Sequence, residues 1–129
     1  MGFVESRGKA IMDYEFAYED GFLIIKLSGS TEVNERLLVK QHLAPYLQES
    51  DQKVIVDLQG LDEPEGVYIV GVLNTIKKEF ELLDGKVKLC SLKPELQRYF
   101  QENRLDQIFH IGLSVESTKQ SFKERNDGR

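Results

Sequence analysis

Cysteine is nearly absent from this 129-residue sequence, where Cys90 stands alone. A single thiol cannot close an internal disulfide, and its place in a strand-like pattern reads as a buried structural residue rather than a nucleophile. Histidine is scarce as well. His42 and His110 fall in separate segments, neither with a second ligand at metal spacing, so no metal site is expected. His42 reads as a surface residue, and His110, between Phe109 and Ile111, as a structural one. The sequence has no phosphate-cradling glycine-rich loop and no nucleophile elbow. No apolar run reaches the roughly 18 residues of a membrane-spanning helix, and no signal-peptide pattern opens the chain. Positive charge is not in excess either: 17 Lys and Arg face 22 Asp and Glu, for a net charge of −5. A general nucleic-acid binder would carry a basic face. These absences point to a cytoplasmic protein with no cofactor, not an enzyme, whose natural partners are other proteins.

What is present fits one domain with an ordinary core: 40% of residues are hydrophobic and 30% charged. The central stretch is Val54 to Cys90. Val54-Ile55-Val56-Asp57-Leu58 is a short β-branched run, suited to a strand covered on both faces. Lys86-Val87-Lys88-Leu89-Cys90 is a second, entered through Asp84-Gly85, a helix-stop signal. Between them the spacing predicts a helix over 67–83, so the unit is a right-handed βαβ crossover. Its loop, Gln59 to Gly66, falls at the carboxyl end of a central strand, where open α/β sheets usually bind.

Residues 1–11 read as a flexible extension, and Met1 to Ser6 fit a permissive myristoylation pattern that nothing polybasic supports. Residues 13–18 alternate, and Glu19-Asp20-Gly21 turns the chain into Phe22 to Leu27, which predicts a hairpin. A helix is expected from Thr31 or Val33 to Gln48. Its core arc is Val33, Leu37, Val39, Leu43, Ala44 and Leu47, with Leu38 outside and Pro45 kinking the last turn. On the second helix Ile69, Val72, Leu73, Ile76, Phe80 and Leu83 form the core face. The opposite face is unusual. It carries Val67, Tyr68, Gly71, Thr75 and Leu82, interrupted mainly by Lys78, where a solvated helix would carry charge. We expect a partner to dock there; the alternative is cover by the chain's own first segment. Pro94 opens a third helix to Asn103. An edge strand is expected over 105–111, then a short last helix capped by Ser114 and carrying Val115 and Phe122. The domain is expected to span 12–120, leaving 121–129 as a polar tail.

Asp57, Asp62, Glu63 and Glu65 cluster around the central loop, a set that suits acid–base chemistry or a divalent ion. Pro64 and Gly66 explain the same loop as a solvated turn, and that reading is adopted.

The order and wording of these segments resemble the STAS domain of bacterial anti-sigma-factor antagonists, found also in stressosome proteins and on anion transporters. Asp57-Leu58-Gln59-Gly60-Leu61 looks like the family's strand end, and Gly85 to Leu89 like its next strand. Leu92 to Phe100 with Leu105 to Phe109 is similar to its third-helix region, Ser114 to Ser117 to the start of its last helix, and Leu27-Ser28-Gly29 more loosely to its hairpin. The resemblance covers residues 12 to 120. It implies an α/β fold with a four- or five-stranded mixed sheet and about four helices, mainly on one face. It further implies a signalling and transcription-regulating role through protein–protein interaction, with an anti-sigma kinase-like protein as partner. In that branch a kinase phosphorylates a loop serine, and the added charge breaks the complex. Here the acceptor position falls on Val67, or on Pro64 with Glu65 beside it, so phosphorylation-independent binding is expected. The partner-binding residues expected are Asp62, Glu63, Glu65, Gly66, Val67, Tyr68, Gly71, Thr75 and Leu82. The alternative is a subunit of a larger assembly, a stressosome-type scaffold or a lipid or anion transport complex; a nucleotide-binding role is the least favoured. The reading leaves a homodimer open.

Overall fold

A computed structural model describes residues 12–31, 34–62 and 67–127. Five strands form one mixed sheet in the order β1-β2-β3-β4-β5: β1 Asp13–Glu19, β2 Phe22–Gly29, β3 Lys53–Leu61, β4 Lys86–Cys90 and β5 Ile111–Gly112. β1 and β2 are antiparallel, and every later pairing is parallel. The two-residue turn has positive φ at both Asp20 (55°) and Gly21 (84°), the mirror-image turn whose twist matches the strands it joins. The expected hairpin is therefore present.

Four α-helices accompany the sheet: α1 Glu35–Leu43, α2 Val67–Glu81, α3 Pro94–Glu102 and α4 Val115–Asp127. The main core lies on one face of the sheet. There Leu23, Ile25 and Leu27 of β2 and Val54, Val56 and Leu58 of β3 meet Val39 and Leu43, Ile69, Val72, Leu73, Ile76 and Phe80, and Leu96 and Phe100. The five α2 side chains are fully buried, each contributing about 1.5–3 kcal/mol. The other face holds a smaller cluster of Phe22, Ile24, Ile55 and Cys90 under Phe122 of α4. Burial pushes the Cys90 thiol up, in keeping with a structural role.

Several boundaries differ from the sequence reading. The first helix runs only from Glu35 to Leu43 in the described residues, and Pro45 turns its end into a 3-10 turn, Ala44–Tyr46. Its buried row is Glu35, Val39 and Leu43, while Leu37 is 68% exposed and Ala44 is also outside, so the expected core arc was rotated. The Tyr14 hydroxyl reaching Glu35 from β1 explains why a carboxylate can take the inner row. β3 continues through Gln59 and Gly60 to Leu61, and so shortens the central loop. The expected edge strand over 105–111 is a 3-10 turn, Leu105–Gln107, followed by two paired residues, Ile111 and Gly112. The last helix is 13 residues long and reaches Asp127. Ser114 caps it as expected: its Oγ accepts from the Ser117 amide at 3.1 Å, and its own amide donates to Ser117 Oγ at 3.1 Å. Residue 120 is thus no boundary of the folded part, because Phe122 is 5% exposed in the second cluster. The myristoylation pattern and the extension lie outside the described residues.

Candidate functional site

The carboxyl ends of the parallel strands set the site. At the end of β3, the Asp62 amide donates to the Gly29 carbonyl at 2.8 Å, pinning the two strand ends together. The close approach depends on Gly60, because a Cβ there would come within 2.7 Å of Ser28 Cβ. Asp62 itself is exposed and lies 3.6 Å from Lys93 Nζ, an ion pair that links the end of β3 to the start of α3. Such an exposed pair adds little stability. It places one negative and one positive group beside the entry to α2.

Helix α2 begins at Val67, directly after this crest. Tyr68, on its first turn, is 45% exposed. Gly71 and Thr75 follow along the helix but are half-buried, because α1 packs against this side. A Cβ on Gly71 would meet Arg36 Cδ at 2.9 Å, so the Arg36 side chain lies across the glycine. Thr75 turns its hydroxyl inward and donates to the Gly71 carbonyl at 3.0 Å. Lys40 of α1 pairs with Glu79 of α2 at 3.5 Å further along the same seam. Leu82 is 69% exposed but sits beyond the far end of α2. It is 14 positions from Tyr68, about 21 Å along a helix.

The expected docking residues therefore divide into three groups. Asp62, Val67 and Tyr68 share the crest at the start of α2. Gly71 and Thr75 form a seam roofed by Arg36. Leu82 stands apart. Glu63, Pro64, Glu65 and Gly66 lie outside the described residues. Arg36 was not singled out from sequence, and its signal was weak: only the pairing of α1 with α2 brings it over Gly71. Among the described residues no group of three or more His, Cys, Asp or Glu is arranged to hold a metal ion. No helix among them is long and apolar enough to cross a membrane.

With this geometry in view, the STAS domain pattern matches residues 14–118. The chain belongs to the STAS domain family. BtrV of Bordetella bronchiseptica, a protein named for anti-sigma factor antagonism, is 28% identical over 104 residues, covering 81% of this chain and 89% of BtrV. An anti-sigma factor antagonist from Mycobacterium paratuberculosis has the same fold, with a TM-score of 0.71 at 14% identity over 86% of this chain and 93% of its own. The antagonist SpoIIAA in its unphosphorylated form superposes with a TM-score of 0.63 at 16% identity, over 86% of this chain and 97% of its own. The five-stranded mixed sheet with four helices is the STAS fold expected from the sequence.

Proposed function

We propose that this STAS domain is a non-enzymatic, cytoplasmic regulator that binds an anti-sigma kinase-like protein at the tip of α2, without a phosphoserine switch in the adjoining loop. The observation that carries the proposal is Tyr68: an aromatic side chain, 45% exposed, on the first turn of the helix that follows the central strand. Aromatic residues held on rigid elements are the usual anchors of protein interfaces. Asp62 and Lys93 beside it supply a polar rim, and the name carried by BtrV supports the same class of partner. From Gln59 to Gly71 the sequence contains neither serine nor threonine. The acceptor position falls on Val67, or on Pro64 with the Glu65 carboxylate next to it. Binding is then constitutive, or switched by something other than a phosphate on this loop.

The test is a calorimetric titration of the full chain against anti-sigma kinases encoded by the same organism. Wild type binds, and Tyr68→Glu loses about tenfold or more in affinity. Mass spectrometry after incubation with ATP finds no phosphate on residues 59–71. Unchanged affinity in Tyr68→Glu and Gly71→Arg removes the proposed face, and phosphate on that segment removes the proposed independence from phosphorylation.

A further inference from the structure

The second face of the sheet is covered unevenly. Helix α4 packs over β3, β4 and β5, leaving the β1–β2 side open among the described residues. Along β1 the side chains divide by alternation. Tyr14, Phe16 and Tyr18 point to the main core side, where Tyr14 stacks on His42 at 4.1 Å and Phe16 on Tyr46 at 3.9 Å. These stacks fix the strand. Asp13, Glu15, Ala17 and Glu19 point the other way, and all four are exposed. Across the sheet Glu15 is paired in register with Lys26, and Lys26 with Asp57.

Ala17 is the one small residue in the acidic row, and it leaves a depression. The result is a trough of about 510 Å³, floored by Ala17, Ile24 and Lys26 and walled by Glu15, Glu19, Asp57 and, from α4, Val115 and Glu116. A smaller hollow shares Glu15, Lys26 and Asp57 and continues toward Gly60. Lys119 holds Glu19 at 3.0 Å and Glu116 at 3.3 Å, yet carboxylates still outnumber cations along the trough. β1 is also an edge strand: among the described residues it pairs with β2 alone, so its outer backbone groups have no strand partner.

We propose that the free edge of β1 and the acidic trough beside it form a second docking site, which takes an extended basic segment of a partner protein as an added strand. The edge supplies main-chain hydrogen bonds, and the trough reads every other side chain of the incoming strand. Basic side chains at that spacing meet Glu15 and Asp57 across Ala17. A second copy of this chain is the wrong occupant. Antiparallel self-pairing centred on Phe16 sets Asp13 opposite Glu19 twice, and like charges directly opposite are destabilising. The same charges guard the edge against unspecific sheet growth. This site lies on the opposite face of the sheet from the α1–α2 seam and does not depend on the function proposed above.

The test uses the isotopically labelled full chain and three capped heptapeptides: alternating Lys and Val, the same composition with the lysines contiguous, and alternating Glu and Val. The alternating basic peptide shifts the amides of residues 13–19 and those around Lys26, Asp57 and Glu116. It binds about tenfold more tightly than its block isomer, and the acidic peptide does not bind. The double variant Glu15→Lys, Glu19→Lys loses about tenfold, whereas Lys26→Glu gains affinity, a change that misfolding cannot produce. Tyr68→Glu leaves peptide binding as it was. Equal affinity for the two basic isomers overturns the proposal, because it shows charge attraction without strand pairing. So do shifts centred away from β1, a concentration-dependent dimer through β1, or slow exchange of the outward-facing β1 amides in the free chain, which shows that the chain itself already occupies the edge.

Discussion

The Tyr14 hydroxyl donates a 2.7 Å hydrogen bond to Oε2 of Glu35, joining the edge strand to the inner row of α1 across 21 positions of sequence. Glu35 is buried at 6% exposure, so the bond offsets the cost of holding a carboxylate inside.

Tyr14→Phe keeps the ring and its stacking on His42 but removes the donor. The expected cost at neutral pH is about 1–3 kcal/mol, read from urea unfolding. Burial first, then the hydrogen bond to Glu35 and its charge, push the Tyr14 hydroxyl well above the usual tyrosine range. A group whose folded pKa is raised stabilises fully below its unfolded pKa, about 10, and loses that contribution as pH rises beyond it. Wild type therefore weakens through roughly pH 9 to 11 more steeply than Tyr14→Phe. Parallel slopes would show that Tyr14 ionises as freely in the folded chain as in the unfolded one.

Lys119 ties the tip of the hairpin to α4, with Nζ 3.0 Å from Glu19, 2.9 Å from Asp20 and 3.3 Å from Glu116. The hydrogen bond to Lys119, then its charge, lowers the Asp20 carboxyl. A lowered carboxylate stabilises above its unfolded pKa and loses that contribution as pH falls through the folded one. Lys119→Met is expected to reduce the urea midpoint at pH 7 and flatten its decline below about pH 4. The difference between the two proteins shrinks in 1 M salt, since the carboxylates are exposed. A salt-independent difference would assign the effect to packing of the lysine stem.

Local signals made the hairpin and the crossover legible. Asp20-Gly21 specified the turn, Pro94 the start of α3, Ser114 the cap of α4, and the α2 core face was right through Phe80. What escaped depended on distant residues. A helical wheel placed Leu37 inside because it is apolar, yet α1 is short and Tyr14 made Glu35 the better inner residue. Helix α4 looked like a tail because its surface is polar and its inner row includes Thr118 and Lys119. The outer face of α2 read as continuous because nothing local reports that Arg36 lies over Gly71. β1 read as half-buried, and the trough on its other side emerges only once α4 is seen to stop short of it.

Two glycines should respond oppositely to alanine. Gly71 lies within α2, and the nearest obstacle to a Cβ is the Arg36 side chain at 2.9 Å. That side chain can swing away, and a helix-interior glycine costs up to about 1 kcal/mol relative to alanine, so Gly71→Ala is expected to be neutral or mildly stabilising. Gly85 joins α2 to β4, and a Cβ there would sit 2.8 Å from the Gln52 carbonyl oxygen and 3.0 Å from that of Phe80. Both are backbone atoms, and the amides of Lys86 and Gly85 already bond to them at 2.9 and 2.8 Å. Gly85→Ala is expected to cost about 1–3 kcal/mol. Equal effects in thermal unfolding would show that the βαβ turn has more room than its contacts imply.

Ending the chain at residue 120 tests how much the last half of α4 contributes. Phe122 meets Phe22 with ring centroids 5.2 Å apart, and Lys88 Nζ sits 4.4 Å from the Phe122 centroid. Lys88 Nζ also donates to Ser121 Oγ at 2.9 Å. A buried lysine is expensive unless its ammonium group has polar or aromatic neighbours, and truncation removes both of these at once. Phe122→Ala alone is expected to cost about 3–5 kcal/mol, a large part of the 5–15 kcal/mol typical of a small domain. The truncated chain is expected to be at least as unstable, and Phe122→Leu to recover most of the loss. Combining Lys88→Met with Phe122→Leu should show coupling of about 0.5–2 kcal/mol, because the cation loses its ring in either single variant. A chain ending at 120 that unfolds at the wild-type midpoint would mean that the second cluster contributes nothing to stability, and the α4 boundary would then belong where the polar composition begins.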